Sequence, residues 1–427
     1  MSPAPARPAA RPDPTLSVAS PGVPIEAPPV ALYVHIPFCI SLCPYCDFVV
    51  YSGASARGPR NRIASFVDAV ATELRLRADV LDTRWPDARA PLESLYFGGG
   101  TPSLLPVDAF AGLIAVVRER YGLAAGAEVT LEANPGPDDR GDLAALARAG
   151  VNRISFGAQS LDVGELRRLG RRHRPADVAD AVAAAREGGI GSVNVDLLYD
   201  VPGGSMATWA ASLDTTLSLA PDHLSLYALT LDDPDAEGIT GATGDHLPTT
   251  AGARRWRATA RANQDDDLAA EQYAHAVDRL AAGGWRGYEI SNWARPGHES
   301  RHNLAYWTRR PYEAVGPGAH AFDGHSRRWN GARLDAYVAA LAPEPGKPRL
   351  PPGGSDVLDR DAAAAEAVIL GLRTDRGLPA AAAGEPPLAA SVAWATSNGL
   401  LEVTADDRIV LTTRGRLLSN ELFARVL

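Results

Sequence analysis

Short runs rich in β-branched, leucine and aromatic residues recur along the first half of the chain, at 31–36, 94–97, 129–132, 153–156, 193–198 and 223–227. The intervals between them carry apolar residues at helical spacing. Within 63–80, Phe66, Val70 and Leu74 fall on one face, and the helical pattern over 176–187 runs into Gly188-Gly189, a pair suited to ending a helix. Strand and helix therefore alternate, which predicts an α/β fold of six parallel strands joined by right-handed crossovers, either an open sheet or a full or partial barrel. In each of these architectures ligands gather at the carboxyl ends of the strands.

Past Pro234 the pattern loosens into a Gly-, Thr- and Asp-rich segment, followed by an expected helix over 267–282 and an aromatic stretch from Trp285 to Trp307. Helices over 361–372 and 387–398, a hairpin pairing 401–403 with 408–412, and a last helix predict a smaller, winged-helix-like α+β module. The Pro-, Ala- and Ser-rich start has no period and predicts a disordered tail. The expected division is a tail over 1–29, the α/β unit over 30–250, a linker helix and aromatic segment over 251–332, and a terminal unit over 333–427. The tract 251–267 is assigned no role, and no repeat of solenoid period is found.

Composition narrows the function classes. Of 427 residues, 46% are hydrophobic and 22% charged, the usage of a folded globular chain. Lys plus Arg number 42 against 51 Asp plus Glu, and the net charge of −9 argues against a protein held mainly by nucleic-acid phosphates or anionic lipid. No apolar run approaches the ~20 residues of a membrane span, and the start lacks a secretion pattern, so a cytoplasmic location is expected. Peripheral association with a membrane stays open.

The three cysteines, Cys39, Cys43 and Cys46, follow the first expected strand, with three residues between the first two and two between the last two. A disulfide framework is excluded by this crowding. Structural zinc takes four ligands, with His35 the available fourth, whereas a cubane iron-sulfur cluster held at three corners leaves one iron open to an exchangeable ligand. Gly98-Gly99-Gly100-Thr101-Pro102 follows the second strand, where bare backbone can approach a ligand or simply make a tight turn. Glu132, Gln159, Arg171 and Asp196 are polar groups at or beyond later strand ends. Arg167, Arg168, Arg172, His173 and Arg174 surround Arg171 and suit either a solvated helix end or the carboxylates of a porphyrin.

The CxxxCxxC loop after a first strand resembles that of the radical S-adenosylmethionine (SAM) superfamily. The resemblance implies a partial (β/α)6 barrel with a 4Fe-4S cluster on Cys39, Cys43 and Cys46. It implies SAM chelated to the open iron, and an external reductant whose electron cleaves SAM to methionine and a 5′-deoxyadenosyl radical. The SAM contacts it implies are Tyr33, Tyr45, Gly99, Gly100, Thr101, Glu132, Gln159, Arg171 and Asp196.

Over 32–427 the chain is similar to the oxygen-independent coproporphyrinogen III oxidase-like family, through Tyr33 to Cys39, Cys46-Asp47-Phe48, Glu132-Ala133-Asn134-Pro135, Arg153 to Gly157 and Tyr288 to Ala294. The true oxidases carry a further cysteine where this chain has Phe48, which puts decarboxylation in doubt. The heme chaperone branch carries HNxxYW, here His302-Asn303-Leu304-Ala305-Tyr306-Trp307, so the resemblance implies heme at His302, Tyr306 and Trp307. Imidazole is a common axial ligand of heme iron, and aromatic rings pack its macrocycle, although such a cluster also makes ordinary interdomain packing. The expectation is a heme chaperone delivering heme to acceptor, respiratory hemoproteins. Oxidative decarboxylation of a porphyrinogen is the alternative, and whether SAM is turned over stays open. A tRNA-modifying enzyme is disfavoured by the charge. Asp200 and Gly204 depart from the family pattern in the loop after the fifth strand.

Overall fold

Six parallel strands, β1 (Ala31–Ile36), β2 (Leu92–Gly99), β3 (Leu123–Ala133), β4 (Arg153–Gln159), β5 (Ser192–Tyr199) and β6 (His223–Ala228), pair in chain order with helices between them. They form a partial (β/α)6 barrel. The computed structural model describes residues 26–53, 61–87, 89–231, 234–342, 347–384 and 388–426. Most of the expected tail lies outside them.

Strand alternation divides the barrel's two faces sharply. Val34 and Ile36 on β1, Leu95 and Phe97 on β2, Leu131 on β3, Phe156 on β4 and Val195 on β5 join one large apolar core. The helices Asn61–Arg84 and Val107–Arg120 add Phe66, Val70, Leu74, Phe110 and Leu113 to it. The opposite positions are polar: Tyr33 and His35, Ser94 and Tyr96, Glu128 and Glu132, Ser155, Asn194 and Asp196, His223 and Ser225. Hydrophobic burial fixes the register, and the register aligns a continuous polar face next to the strand ends.

Four further strands extend this sheet past β1, and two past β6. They are β7 (Arg286–Gly287), β8 (Asn292–Ala294), β9 (Tyr312–Val315), β10 (His320–Phe322), β11 (Ser326–Asn330) and β12 (Gly353–Val357), giving the order β12-β11-β10-β9-β1-β2-β3-β4-β5-β6-β8-β7. Because β1 pairs with β9 and β6 with β8, the barrel stays open between its first and last strands.

The short helix Arg301–Trp307 lies against the polar face. Glu128 accepts from the backbone N–H groups of Arg301 at 3.0 Å and His302 at 3.2 Å, placing a carboxylate at the helix's positive end. A separate three-stranded sheet, β13 (Leu378–Pro379), β14 (Leu401–Val403) and β15 (Arg408–Leu411), packs with the helix Arg360–Arg373 around Leu372, Leu400, Ile409 and Leu422. This is the winged-helix-like module. Residues 334–357, expected within the terminal unit, run with the large sheet instead: β12 pairs with β11, and Tyr337 reaches Glu73 of the first helix. We therefore propose a boundary near Leu358.

Candidate cofactor site

The cysteine loop leaves β1 and returns beside it, where the N–H of Cys39 donates to Tyr51 O at 3.0 Å and that of Tyr51 to Pro37 O at 2.6 Å. All three thiols are free and half-buried. Burial pushes the Cys39 thiol up to about 11 and raises that of Cys46 as well, so binding a metal would have to release their protons. Among the described residues no three His, Cys, Asp or Glu side chains converge to hold a bare ion. Nor is His35 offered as a fourth zinc ligand, because its Nε2–H donates to Val49 O at 2.8 Å and its Nδ1 accepts from Tyr33 Oη at 3.0 Å. Sulfurs that occupy separate corners of a cubane need not converge on one point.

The glycine motif is pressed against this loop. Gly100 N–H donates to Ile36 O at 2.8 Å and Thr101 N–H to Phe38 O at 2.7 Å. A Cβ on Gly100 would lie 2.7 Å from Phe38 O, and one on Gly99, whose φ is +111°, would lie 2.4 Å from the His35 ring. Thr101 Oγ1 sits 3.2 Å from Cys39 Sγ and accepts from Asn134 Nδ2 at 3.0 Å. Glu132 accepts from Tyr96 Oη at 2.7 Å and from Gly99 N–H at 2.9 Å, yet burial, with Asp196 nearby, raises its carboxyl to about 7.

Arg171 closes the other side. Its Nη1 is 3.5 Å from Cys43 Sγ and its Nη2 donates to Asn134 Oδ1 and Gly157 O, while its Nε is buried without a partner. Gln159 has φ +67° beside an irregularity in the β4–β5 pairing, a strained conformation of the kind stored at functional strand ends. Asp196 accepts from Ser155 Oγ at 3.0 Å and Asn194 Nδ2 at 2.6 Å, and Tyr45 packs beside Trp256. The thiols, the glycine cradle and the unpartnered Arg171 nitrogen fit a cluster with a polar, carboxylate-bearing ligand.

The aromatic motif adjoins this site through Tyr96, the donor to Glu132, and through Tyr33, whose ring lies 6.4 Å from that of His302. His302 is 1% exposed, with Nδ1 2.9 Å from Ser94 Oγ and Nε2 2.7 Å from Tyr306 Oη, and its ring stacks on Tyr96 at 4.9 Å. Burial lowers its pKa to about 3. Neither nitrogen is open to an external iron in this arrangement. Arg373 covers the Trp307 ring at 4.8 Å, and Tyr306 lines an open cavity.

Sequence reasoning passed over Asn134, although Glu-Ala-Asn-Pro was in view, and Arg257. The buried Arg257 guanidinium donates to the carbonyls of Pro44 and Tyr45 at 3.3 Å and of Cys46 at 3.0 Å. The helix Ala251–Arg261 that carries it thereby clamps the cysteine loop.

Residues 33–215 match the radical SAM superfamily. The chain is 38% identical to heme chaperone HemW of Mycobacterium tuberculosis over 405 residues, covering 95% of this chain and 96% of that one. It belongs to the HemW family. The Escherichia coli protein of that name is 36% identical over 69% of this chain and 71% of its own length. A mouse mitochondrial radical SAM domain-containing protein 1 is 35% identical over 90% and 83% of the two chains. Coproporphyrinogen III oxidase HemN of E. coli, a radical SAM enzyme, has the same fold at a TM-score of 0.73 and 23% identity, over 96% of this chain and 92% of that chain. Membership of the superfamily implies a 4Fe-4S cluster and SAM. No helix among the described residues is long and apolar enough to cross a membrane.

Proposed function

We propose that this chain binds heme and passes it to an acceptor hemoprotein, carrying a 4Fe-4S cluster on Cys39, Cys43 and Cys46 with SAM beside it. The observation that carries the reading is 38% identity over 95% of this chain to a protein named heme chaperone HemW, together with Phe48 where the decarboxylating relatives are expected to hold a further cysteine. Phe48 is 63% exposed, so the position faces solvent and any bound partner.

In this reading Arg171 meets the SAM carboxylate, Glu132 and the Gly99-Gly100-Thr101 backbone take its ammonium end, and Tyr33, Tyr45, Gln159 and Asp196 complete the surround. When bound, the cluster supplies an electron to SAM. Glu132 holds a proton near neutrality, so its charge is set by what occupies the site. For heme, Tyr306 contributes an aromatic wall, His302 fixes the Tyr306 hydroxyl, and Trp307 packs beneath Arg373.

The test is anaerobic reconstitution of the full chain, followed by iron, sulfide and heme analysis and by transfer of bound heme to an apo-hemoprotein. Cluster iron with saturable, transferable heme is expected, and no product from coproporphyrinogen III. Product formation without heme binding would overturn the reading in favour of the oxidase.

A further inference from the structure

An open cavity of about 320 Å³ is bounded by Phe48 and Val49 on the returning cysteine loop, Tyr306 and Tyr312, and the pair His246 and His320, and it adjoins the candidate cofactor site through Tyr33 and His35. Tyr306 and Tyr312 meet edge to face at 4.5 Å and give the cavity an aromatic side. Asp245 joins the two imidazoles: Oδ2 is 2.8 Å from His320 Nε2, and Oδ1 is 3.1 Å from His246 Nδ1. The opposite nitrogen of His320, Nδ1, makes no hydrogen bond among the described residues.

We propose that His320 is the axial ligand of heme iron in this cavity, with Asp245 as the carboxylate that orients it. The proposal rests on the reading of the chain as a heme carrier. An imidazole that donates one N–H to a carboxylate has its tautomer and ring plane fixed and its other nitrogen made more basic, the usual arrangement behind a metal-bound histidine. Burial holds His320 below its ordinary 6.5 against the pull of Asp245, which keeps a lone pair on the far nitrogen at neutral pH. The ring is further fixed by stacking on Trp329 at 5.9 Å.

The backbone supports the placement. A Cβ on Gly318, two residues earlier with φ +73°, would lie 2.5 Å from Val49 Cγ2, so the loop leading to His320 is packed directly on the cysteine loop. The volume lies at the low end for cofactor sites, so a porphyrin there would be only partly enclosed. The exposed Phe48 ring stands at the mouth to cover the macrocycle. His302, with both nitrogens engaged, then acts on heme only through Tyr306.

The test titrates hemin into the cluster-loaded full chain and into His320→Ala, Asp245→Asn and His302→Gln, following the Soret band and the ferric EPR signal. His320→Ala should lose the histidine-ligated spectrum and regain it with added imidazole. Asp245→Asn should weaken hemin binding by roughly 10–100-fold, and His302→Gln should keep the ligated spectrum. Iron-free protoporphyrin, which needs no axial ligand, should bind wild type and His320→Ala alike. If wild type binds hemin and His320→Ala gives the same spectrum, or His302→Gln alone loses it, the assignment is overturned while the carrier reading stands. If wild type binds no hemin, the carrier reading itself fails. Circular dichroism of each variant separates lost ligation from lost fold.

Discussion

The Tyr306 hydroxyl and Nε2 of His302 are 2.7 Å apart, one helical turn from each other, while Ser94 Oγ occupies the opposite ring nitrogen at 2.9 Å. Together they tie the helix Arg301–Trp307 to β2 inside the barrel. Removing the imidazole leaves two buried hydroxyls without partners.

His302→Ala should therefore cost stability, on the order of 1–3 kcal/mol for the lost buried bonds, with a further loss from the cavity. Urea unfolding of the purified chain measures it. A fully stable variant would mean that the ring is not held as described.

The same residue makes stability depend on pH. Its folded pKa of about 3 lies below the ordinary 6.5, so between those values the unfolded chain binds a proton that the folded chain excludes. The stabilisation is present above 6.5 and is lost as pH falls towards 3. Glu132, raised by burial, acts in the opposite sense and offsets part of the total. The clean measurement is a difference: relative to His302→Gln, wild type should lose about 1.4 kcal/mol more per pH unit across that window. Parallel pH profiles would show that His302 titrates in the fold as it does in the unfolded chain.

The barrel strands were legible because each carries an unbroken outward row of apolar side chains, as Val193, Val195 and Leu197 do on β5. The cysteine loop was legible because its ligands are local in sequence. The strands β7 to β12 were not, since pieces as short as Arg286–Gly287 carry no period and Ser326–Asn330 is largely polar. That omission hid the cavity around His320 as well. Asp245 and His320 meet only because β9 pairs with β1 and β10 folds back on β9. The motif offers His302 as a heme ligand, but it shows residue types and spacing and not which face of the sheet a short helix will cover.

Two glycines with left-handed backbone separate crowding from strain. Gly203 has φ +68° and nothing within 4 Å of an added Cβ, so Gly203→Ala should cost about 1–2 kcal/mol from backbone alone. Gly99→Ala adds a clash with the His35 ring and should cost clearly more, and it should abolish SAM binding measured by calorimetry. Equal losses in the two variants would contradict the close approach at Gly99.

SAM binding should carry the signature of Glu132. With its carboxyl near 7, the site gains a negative charge as pH rises through that value, and affinity for a ligand bearing an ammonium group should rise with it. Glu132→Gln, which keeps one acceptor for Tyr96 and Gly99 but cannot ionise, should bind SAM more weakly and with a flat profile. Calorimetric titrations on either side of that pKa decide the matter, and an unchanged slope in the variant would assign the titration to another group.

Arg257 offers the most direct test of how the cysteine loop is held. Its guanidinium spans three successive carbonyls, Pro44, Tyr45 and Cys46, a geometry that a planar fork of donors matches and a single ammonium does not. Arg257→Met should keep the fold's bulk while leaving those carbonyls unpaired, at a cost of about 1–3 kcal/mol. The local consequence should exceed the global one: the reconstituted cluster, watched by its visible absorbance, should be stripped by a chelator faster than in wild type. Arg257→Lys should recover only part of the resistance. Wild-type stripping kinetics in Arg257→Met would show that the loop is rigid without its clamp.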